Sequence, residues 1–394
     1  MPYLRFYTAG ESHGQKLVGI LEGLPADIPI AVEAINHQLR RRQQGYGRGR
    51  RMKIESDRVN VLSGMRFGKT LGSPISVEIE NKDWKNWREK MAVQDSGEKI
   101  KRVTIPRPGH VDFAGAVKYG QEDIRNVLER ASARETAMRV ALGSFARQFL
   151  EQLGILIASH VIQLQDIAAP ITFVSGYPDI LQSFPPEQIN ALADASPVRC
   201  LDEAAARGMM ERIDTAKTER DTVGGIFEVI AFNVPVGLGS HVHWDRRLDT
   251  RIAAAMMSIQ AIKGVEIGSG FGGATRRGSE VHDEIFYDAE AEQYFRKSNH
   301  AGGIEGGISN GMPIVVRAAM KPISTLMQPL NSVDMPTKQA AKAHIERSDV
   351  CALPAAGIVG EAMLALVIAD AVLEKFGGDS LKEVMERYLA WGKK

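Results

Sequence analysis

Cysteine is nearly absent: the 394-residue chain carries only Cys200 and Cys351. They form no metal-type pair and no disulfide framework, so no metal is expected and a reducing compartment is. Charge of one sign is missing too. Forty-nine basic and forty-eight acidic side chains leave a formal net charge of +1, which selects neither nucleic acid nor an anionic membrane as partner. The N-terminus lacks the basic-then-apolar pattern of a signal peptide. No apolar run reads as approaching the ~18 residues of a membrane span. These absences predict a cytoplasmic protein. Strand and helix patterns do not alternate along the chain, which argues against a doubly wound sheet and for antiparallel sheets with helices between or against them. The length alone allows two or three domains or one large fold.

Glycine is abundant, with 38 residues, clustered in GYGRGRR, GSGFGGATRRG and HAGGIEGGISNG, where tight turns or close approach to a ligand are expected. Two literal motifs mislead. TAGESHGQKLVGILEGLP (8–25) contains Gly-x-Ser-x-Gly around Ser12, which in hydrolases needs a strand turning into a helix. The strand YLRFYTA precedes it, but QKLVGILEGLP, with Gly19, Gly23 and Pro25, predicts another strand or irregular run. In an extended segment Ser12 and His13 point to opposite faces and cannot share a proton. Gly268–Gly273 matches Gly-x-Gly-x-x-Gly, but TRRGSEVHDE offers no apolar helical face, which excludes a dinucleotide loop.

AVEAINHQLRRRQ predicts the first helix and PISVEIE a strand. ERASARETAMRVALGSFARQFLEQLG predicts a helix entered at Ser132, with Glu135 at capping-box spacing. Residues 81–103 are charged apart from Trp84 and Trp87 and read as a mobile excursion, a candidate loop over a site. FEVIAFNVPVGLGSH repeats the opening pattern, and Ser240-His241 echoes Ser12-His13, which predicts an internal duplication. RLDTRIAAAMMSIQAIKG reads as a helix. AAGIVGEAMLALVIADAVLEKF predicts an apolar helix stopped by Gly377-Gly378, followed by a helix from Ser380 with Glu383 as capping partner.

RRRQQGYGRGRRMK (40–53) gathers Arg40, Arg41, Arg42, Arg48, Arg50, Arg51 and Lys53 without an acid. It reads as a solvated helix end, a nucleic-acid patch or a polyanion site. The neutral remainder of the chain and the lack of stacked aromatics weigh against nucleic acid, while guanidinium groups bind phosphate and carboxylate bidentately. In IPRPGHVDFAG (105–115), prolines flank Arg107 ahead of His110: either a rigid turn holding a titrating imidazole beside an anion, or a surface histidine. Arg130, Arg134 and Arg139 crowd the helix start at Ser132, where the macrodipole opposes cations unless an anion binds. The plain alternative is arginines facing water. Arg347 and Asp349 share a face if extended, and KPISTLMQP resembles a ligand-binding loop.

In order, GESHGQKLVGILEGLP, RRRQQGYGRGRRMKIESD, RPGHVDFAGAVKYG, ERASARETAMRVA, SIQAIKGVEIGSGF, SNHAGGIEGGISNGMPI and RSDVCALPAAGIVGEAM resemble the chorismate synthase family across almost the whole chain. The resemblance implies one α+β domain over 1–394, a β-α-β sandwich with helices packed between antiparallel sheets, assembled as a homotetramer. It implies a lyase that converts 5-enolpyruvylshikimate 3-phosphate to chorismate and phosphate by anti 1,4-elimination, with reduced FMN and no net redox change, at the last step of the shikimate pathway. A substrate with two carboxylates and a phosphate, beside a flavin phosphate, accounts for the arginines. By resemblance, His13 would assist departure of the substrate phosphate. His110 would protonate the reduced flavin or hold it anionic, and Asp349 would help flavin N5 accept the ring proton. Arg48, Arg107, Arg134 and Arg347 would bind the substrate's anionic groups. FMN contacts would come from Arg130, Ala131, Ser132, Gln260, Ala261, Gly306, Lys321, Pro322, Ile323, Ser324, Thr325 and Arg347. Arg42 and Arg48 match positions assigned to NADP, so NADPH and a separate flavin reductase both stand as sources of reducing equivalents. The rival readings are a flavin enzyme with net redox chemistry and an RNA-binding module using 40–53. The enzyme reading expects Arg134→Ala to remove activity with little change in fold.

Overall fold

The computed structural model describes residues 3–49, 56–95, 97, 99–346 and 348–391. Alternation sets the first sheet. In Lys16–Glu22, Leu17, Gly19 and Leu21 are buried while Val18, Ile20 and Glu22 are exposed; Ile75–Glu80 buries Ile75, Val77 and Ile79. Such period-two patterning turns one sheet face to the core and the other outward. Arg5–Ala9, Lys16–Glu22, Ile75–Glu80 and Val59–Val61 pair antiparallel in that order. The second sheet is also antiparallel and runs Ile262–Ile267, Ile314–Met320, Gly225–Phe232, Leu156–Leu164, Ile167–Ala168. Its inner strands are buried almost throughout because both faces are covered. The helix Leu353–Phe376 packs on it, and Phe173, Ile180 and Ile189 form a separate apolar cluster with Ala158, Ile230 and Val315.

Helices fill the space between the sheets. Thr136–Gln152 packs on the first sheet, Leu353–Phe376 on the second, and the two pack on each other, flanked by Val32–Gln43 and Leu248–Met257. Small residues allow this approach. A Cβ on Gly143 would stand 2.6 Å from the Ala362 carbonyl oxygen, and one on Gly360 would stand 2.8 Å from the Phe227 ring. The α+β sandwich is therefore the observed fold class. The 353–376 helix is long and apolar enough to cross a membrane, contrary to the expectation that no run reaches that length; it is the buried core helix.

Three other expectations change. The internal duplication is not confirmed: the strands on either side of Ser12-His13 are paired neighbours, whereas Gly225–Phe232 and the next main strand, Ile262–Ile267, are separated by Ile314–Met320. The helix read through Gly264 stops at Met257; Ala261 takes φ 67° and the chain enters the sheet at Ile262. The start of the 81–103 excursion is built into the protein: Lys82–Asn86 is a 3-10 turn, and the Asn81 amide donates to the carbonyls of Glu11 and Gly14 at 3.2 and 2.8 Å.

One carboxylate ties the layers together. Glu361, buried on the central helix, accepts from Arg41 at 2.8 and 3.1 Å, Arg147 at 2.7 Å and Ser159 at 2.6 Å, with Arg199 at 3.3 Å. Burial opposes its charge, but the three guanidinium groups outweigh burial and hold the carboxyl at about 2. This contribution to stability is complete above the ordinary value of 4.5 and drains as pH falls towards about 2. Glu361→Gln is expected to cost about 3–5 kcal/mol at neutral pH by leaving buried guanidinium groups uncompensated. Thermal unfolding across the acid range should also show a shallower loss of stability in the variant than in the parent.

Candidate active site

A cavity of about 530 Å³ opens at one end of the helical layers, a size usual for small-molecule sites. Ala352, Ala355, Ala356 and Val359, on one face of the central helix, give it an apolar wall. Ser132, Ala133, Arg134 and Thr136 contribute the entry to the 136–152 helix. Turns supply the rest: Ser12-His13, Arg48-Gly49, Arg107, Gly109–Val111, Ile259–Ala261, Lys321 and Ile323–Thr325.

Among the described lining residues, five cations (Arg42, Arg48, Arg107, Arg134 and Lys321) face two carboxylates, Glu346 and Asp349. The arginines are held from behind. Arg134 Nη1 donates to both oxygens of buried Asp57 at 2.6 and 2.7 Å, and its Nε donates to Asn81 at 2.9 Å. Arg42 Nη1 lies 3.8 Å from the same Asp57, while its Nε and Nη2 are spent on Thr136 and the Ala133 carbonyl at 2.9 and 2.7 Å. Two guanidinium groups thus share one carboxylate. Chiefly through burial, Arg42 is pushed down to about 10. Arg48 pairs with Asp349 at 2.9 Å, and the Gly49 N–H donates to the same carboxylate at 2.6 Å. Lys321 donates to the Gly109 carbonyl at 2.9 Å; burial and neighbouring Lys263 lower its affinity for a proton. Glu346 accepts from Arg125 at 2.8 Å and meets His344 at 2.9 Å; these partners outweigh burial and hold it at about 2.

Both histidines are gripped at Nδ1. His13 Nδ1 lies 2.9 and 3.0 Å from the two oxygens of Glu129, and the ring stacks on Trp87 at 3.9 Å. Ser12-His13 is therefore no serine–histidine pair. His110 Nδ1 stands 2.5 Å from Asp112 Oδ1 and 3.0 Å from Arg107 Nη2. Arginine only donates and a carboxylate only accepts, so one Nδ1 cannot satisfy both. Asp112 decides it: despite burial, His110 and Arg107 hold its carboxyl well below the usual range, so Nδ1 is the donor. Arg107 also donates to Asp112 through Nε at 2.8 Å and to Thr325 at 2.8 Å, and Gly109, at φ 75°, turns the chain between Arg107 and His110.

Of the residues singled out in the sequence, this cavity brings together His13, His110, Asp349, Arg42, Arg48, Arg107, Arg134, Ala131, Ser132, Gln260, Ala261, Lys321, Ile323, Ser324 and Thr325. Others lie elsewhere. Arg130 is exposed and donates to the Thr8 and Gly10 carbonyls; Arg139 pairs with Glu135 at 2.9 Å. Only Arg134 of that trio turns inward. Ser132 accepts from the Arg134 N–H at 3.3 Å, but Glu135 closes no capping box, its carboxylate being taken by Thr8, Arg139 and Gln260. Pro322 is exposed beside the lining. Gly306 lies at a hairpin tip near Leu248, the far end of a ten-residue helix from Gln260, about 15 Å along its axis. Arg347, like Arg50, Arg51 and Lys53, falls outside the described residues. Asp57, Asn81, Asp112, Glu129 and Glu346 are not among the residues singled out in the sequence, and Trp87 reads there only as part of the 81–103 excursion. Only Asp112, two residues from His110, carried a local signal.

The family model for chorismate synthase matches residues 4–373. Chorismate synthase of Aquifex aeolicus (strain VF5) is 55% identical over 392 residues, covering 98% of this chain and 96% of that protein. That of Desulforudis audaxviator (strain MP104C) is 55% identical over 388 residues, covering 98% and 96%. The chain belongs to the chorismate synthase family. A crystal structure of chorismate synthase matches the fold with a TM-score of 0.78 at 46% identity, covering 99% of this chain and 97% of that one.

Within this chorismate synthase fold, the Arg134 expectation needs revision. Truncating Arg134 strips the closest partner from Asp57, which is itself buried, leaving Arg42 at 3.8 Å as its remaining cation among the described residues. Arg134→Ala should therefore destabilise by about 3–5 kcal/mol rather than leave the fold untouched. Arg134→Ala combined with Asp57→Asn should recover most of that loss, as read by thermal unfolding.

Proposed function

We propose that the chain is a chorismate synthase. It releases phosphate from 5-enolpyruvylshikimate 3-phosphate by anti 1,4-elimination to give chorismate, the last step of the shikimate pathway, with reduced FMN and no net redox change. The observation that supports this most is one cavity combining an excess of guanidinium groups, two carboxylate-held imidazoles and an apolar helical wall. A substrate with three anionic groups matches that charge, and the dry wall strengthens each electrostatic contact.

The residues present fit a flavin mononucleotide. Gln260 Oε1 is buried without a hydrogen-bond partner among the described residues, an acceptor suited to a ring N–H. Lys321, Ser324 and Thr325 are donors for a phosphate, and the alanine-rich wall suits a flat ring. When bound, the reduced cofactor supplies transient electron density to the substrate. The chain's own groups do the remainder. Arg48, Arg107 and Arg134 bind and orient the anionic groups. His13 meets the departing phosphate. Asp349, anchored by Arg48 and the Gly49 N–H, handles the ring proton that elimination releases. His110, with Nδ1 on Asp112, keeps Nε2 for a proton beside the cofactor.

Arg42 has two of its three nitrogens spent within the wall, and Arg48 is paired with Asp349, so both serve the substrate cavity better than a nicotinamide nucleotide. A separate flavin reductase then supplies the reduction. The protein works in the cytoplasm as a homotetramer. Exposed Tyr7, Val18 and Ile20 on the outer face of the first sheet suit subunit contact, and Gly306 would reach a flavin only in a neighbouring subunit.

Photoreduced FMN, supplied anaerobically with the enolpyruvyl phosphate, tests the reading. Phosphate release without net flavin oxidation is expected; stoichiometric oxidation would sink the elimination in favour of redox chemistry. His110→Ala and Asp349→Ala should lower kcat by about 10²–10⁴-fold with KM little changed, as proton-handling groups do.

A further inference from the structure

Glu129 is a buried carboxylate with no assigned part in the reaction. It sits on the helix Arg125–Ala131 and is 2% exposed. Three of its contacts go to one residue: His13 Nδ1 at 2.9 and 3.0 Å, and the His13 backbone N–H at 2.8 Å. Its own carbonyl accepts the Ser12 N–H at 3.0 Å. Arg125, one turn earlier, donates to Oε1 at 2.8 Å. Burial opposes the charge on Glu129, but the hydrogen bonds and charge of His13, with help from Arg125, outweigh it and hold the carboxyl below its ordinary value.

An ionised carboxylate only accepts, so Nδ1 must carry the proton in this contact whether the ring is neutral or charged. The partner of one ring nitrogen thereby sets the state of the other. The ring plane is constrained as well. Trp87 stacks on the imidazole at 3.9 Å with 24° between planes, and Arg125 lies 4.9 Å from the Trp87 ring centre. His13 lines the cavity, and its Nε2 makes no hydrogen bond among the described residues.

We propose that Glu129 and Trp87 are positioning residues for His13. They fix the Nδ1–H form and aim Nε2 into the cavity, where it meets the leaving phosphate. The link to phosphate rests on the reaction assigned above; the tautomer and orientation do not. In the step itself, the phosphate oxygen takes the electron pair of the breaking C–O bond and the proton from Nε2. His13 is left neutral, with Nδ1 still protonated against Glu129. In the alternative Nε2–H tautomer, which predominates for a free neutral imidazole side chain, the neutral ring could not accept a proton at Nε2 in the next cycle.

Nitrogen NMR of histidine-labelled protein tests this directly, with the His13 ring assigned by its loss in His13→Asn. At a pH where the ring is neutral, the parent should show Nδ1 bearing hydrogen and Nε2 bare. Glu129→Gln, whose amide oxygen still accepts, should keep that pattern. Glu129→Leu should shift the ring to the Nε2–H form. In phosphate-release assays Glu129→Leu should lose kcat by about 10²-fold with KM within a fewfold, and Glu129→Gln should recover most of it. Trp87→Ala should lose about tenfold in kcat, the equivalent of one stacking contact, and Trp87→Phe little. A parent ring in the Nε2–H form, or a Glu129→Leu spectrum like the parent's, overturns the positioning. A shifted tautomer with kcat unchanged would leave the positioning in place and overturn the link to phosphate. Should Glu129→Leu fail to fold, the parent and Glu129→Gln spectra still decide the tautomer.

Discussion

Like charges brought together in a cavity repel, and the layout of this site answers that constraint. Two unit charges 4 Å apart cost about 4 kcal/mol at an effective dielectric of 20, and several guanidinium groups line one space here. The chain places a carboxylate behind most of them: Asp57 behind Arg134 and Arg42, Asp112 behind Arg107, Asp349 beside Arg48. Each acid holds its arginine in a fixed direction and lowers the repulsion without removing the surplus positive charge. Because Asp57 serves two arginines, the cavity keeps a net pull on an anion even where each side chain has a partner. The same acids make the site part of the fold, which is why a site arginine cannot be truncated without a structural cost.

That arrangement needs rigid supports, and the helical layers provide them. Gly143 and Gly360 let the central helix touch both the 136–152 helix and the second sheet. Glu361 then draws together Arg41 from the 32–43 helix, Arg147 from the 136–152 helix and Arg199 from a loop at one point on the central helix. The first turns of the two core helices are thereby fixed relative to each other, and those turns carry the apolar wall and Arg134. Packing beyond the cavity sets the spacing of the groups that line it.

Local chemistry was legible in the sequence; direction and partners were not. Strands with one wet face announced themselves by alternation, as in Lys16–Glu22, and the stop at Gly377 followed from helix capping. The second sheet was harder, because strands buried on both faces lose that period. Arg130, Arg134 and Arg139 look equivalent along the chain, yet Thr8 and Glu135 draw two of them away and Asp57 draws the third inward. Asp57 is 77 residues from Arg134, and Glu129 is 116 from His13, so nothing in either neighbourhood marks the pair. Trp87 sits in a charged stretch whose composition suggests mobility, while its function in the fold depends on a ring from the first turn. Six of the seven segments that resemble the family contribute to the cavity lining, whereas 298–314 contributes nothing to it.

The two histidines follow one construction despite lying on unrelated turns. His110 gains its carboxylate locally, from Asp112 two residues on, and His13 gains its own from a distant helix. In both, a buried acid takes Nδ1 and leaves Nε2 outside that contact. A neutral imidazole placed among arginines would otherwise find its protonated form disfavoured by every neighbour. The carboxylate at Nδ1 offsets that repulsion, at 2.5 Å for His110 and 2.9 Å for His13. The charge pattern needed to attract the substrate and the one needed to move protons would conflict in a single layer. Here depth separates them in part: Asp57, Asp112 and Glu129 stand behind the lining cations and imidazoles, while Glu346 and Asp349 line the cavity beside them.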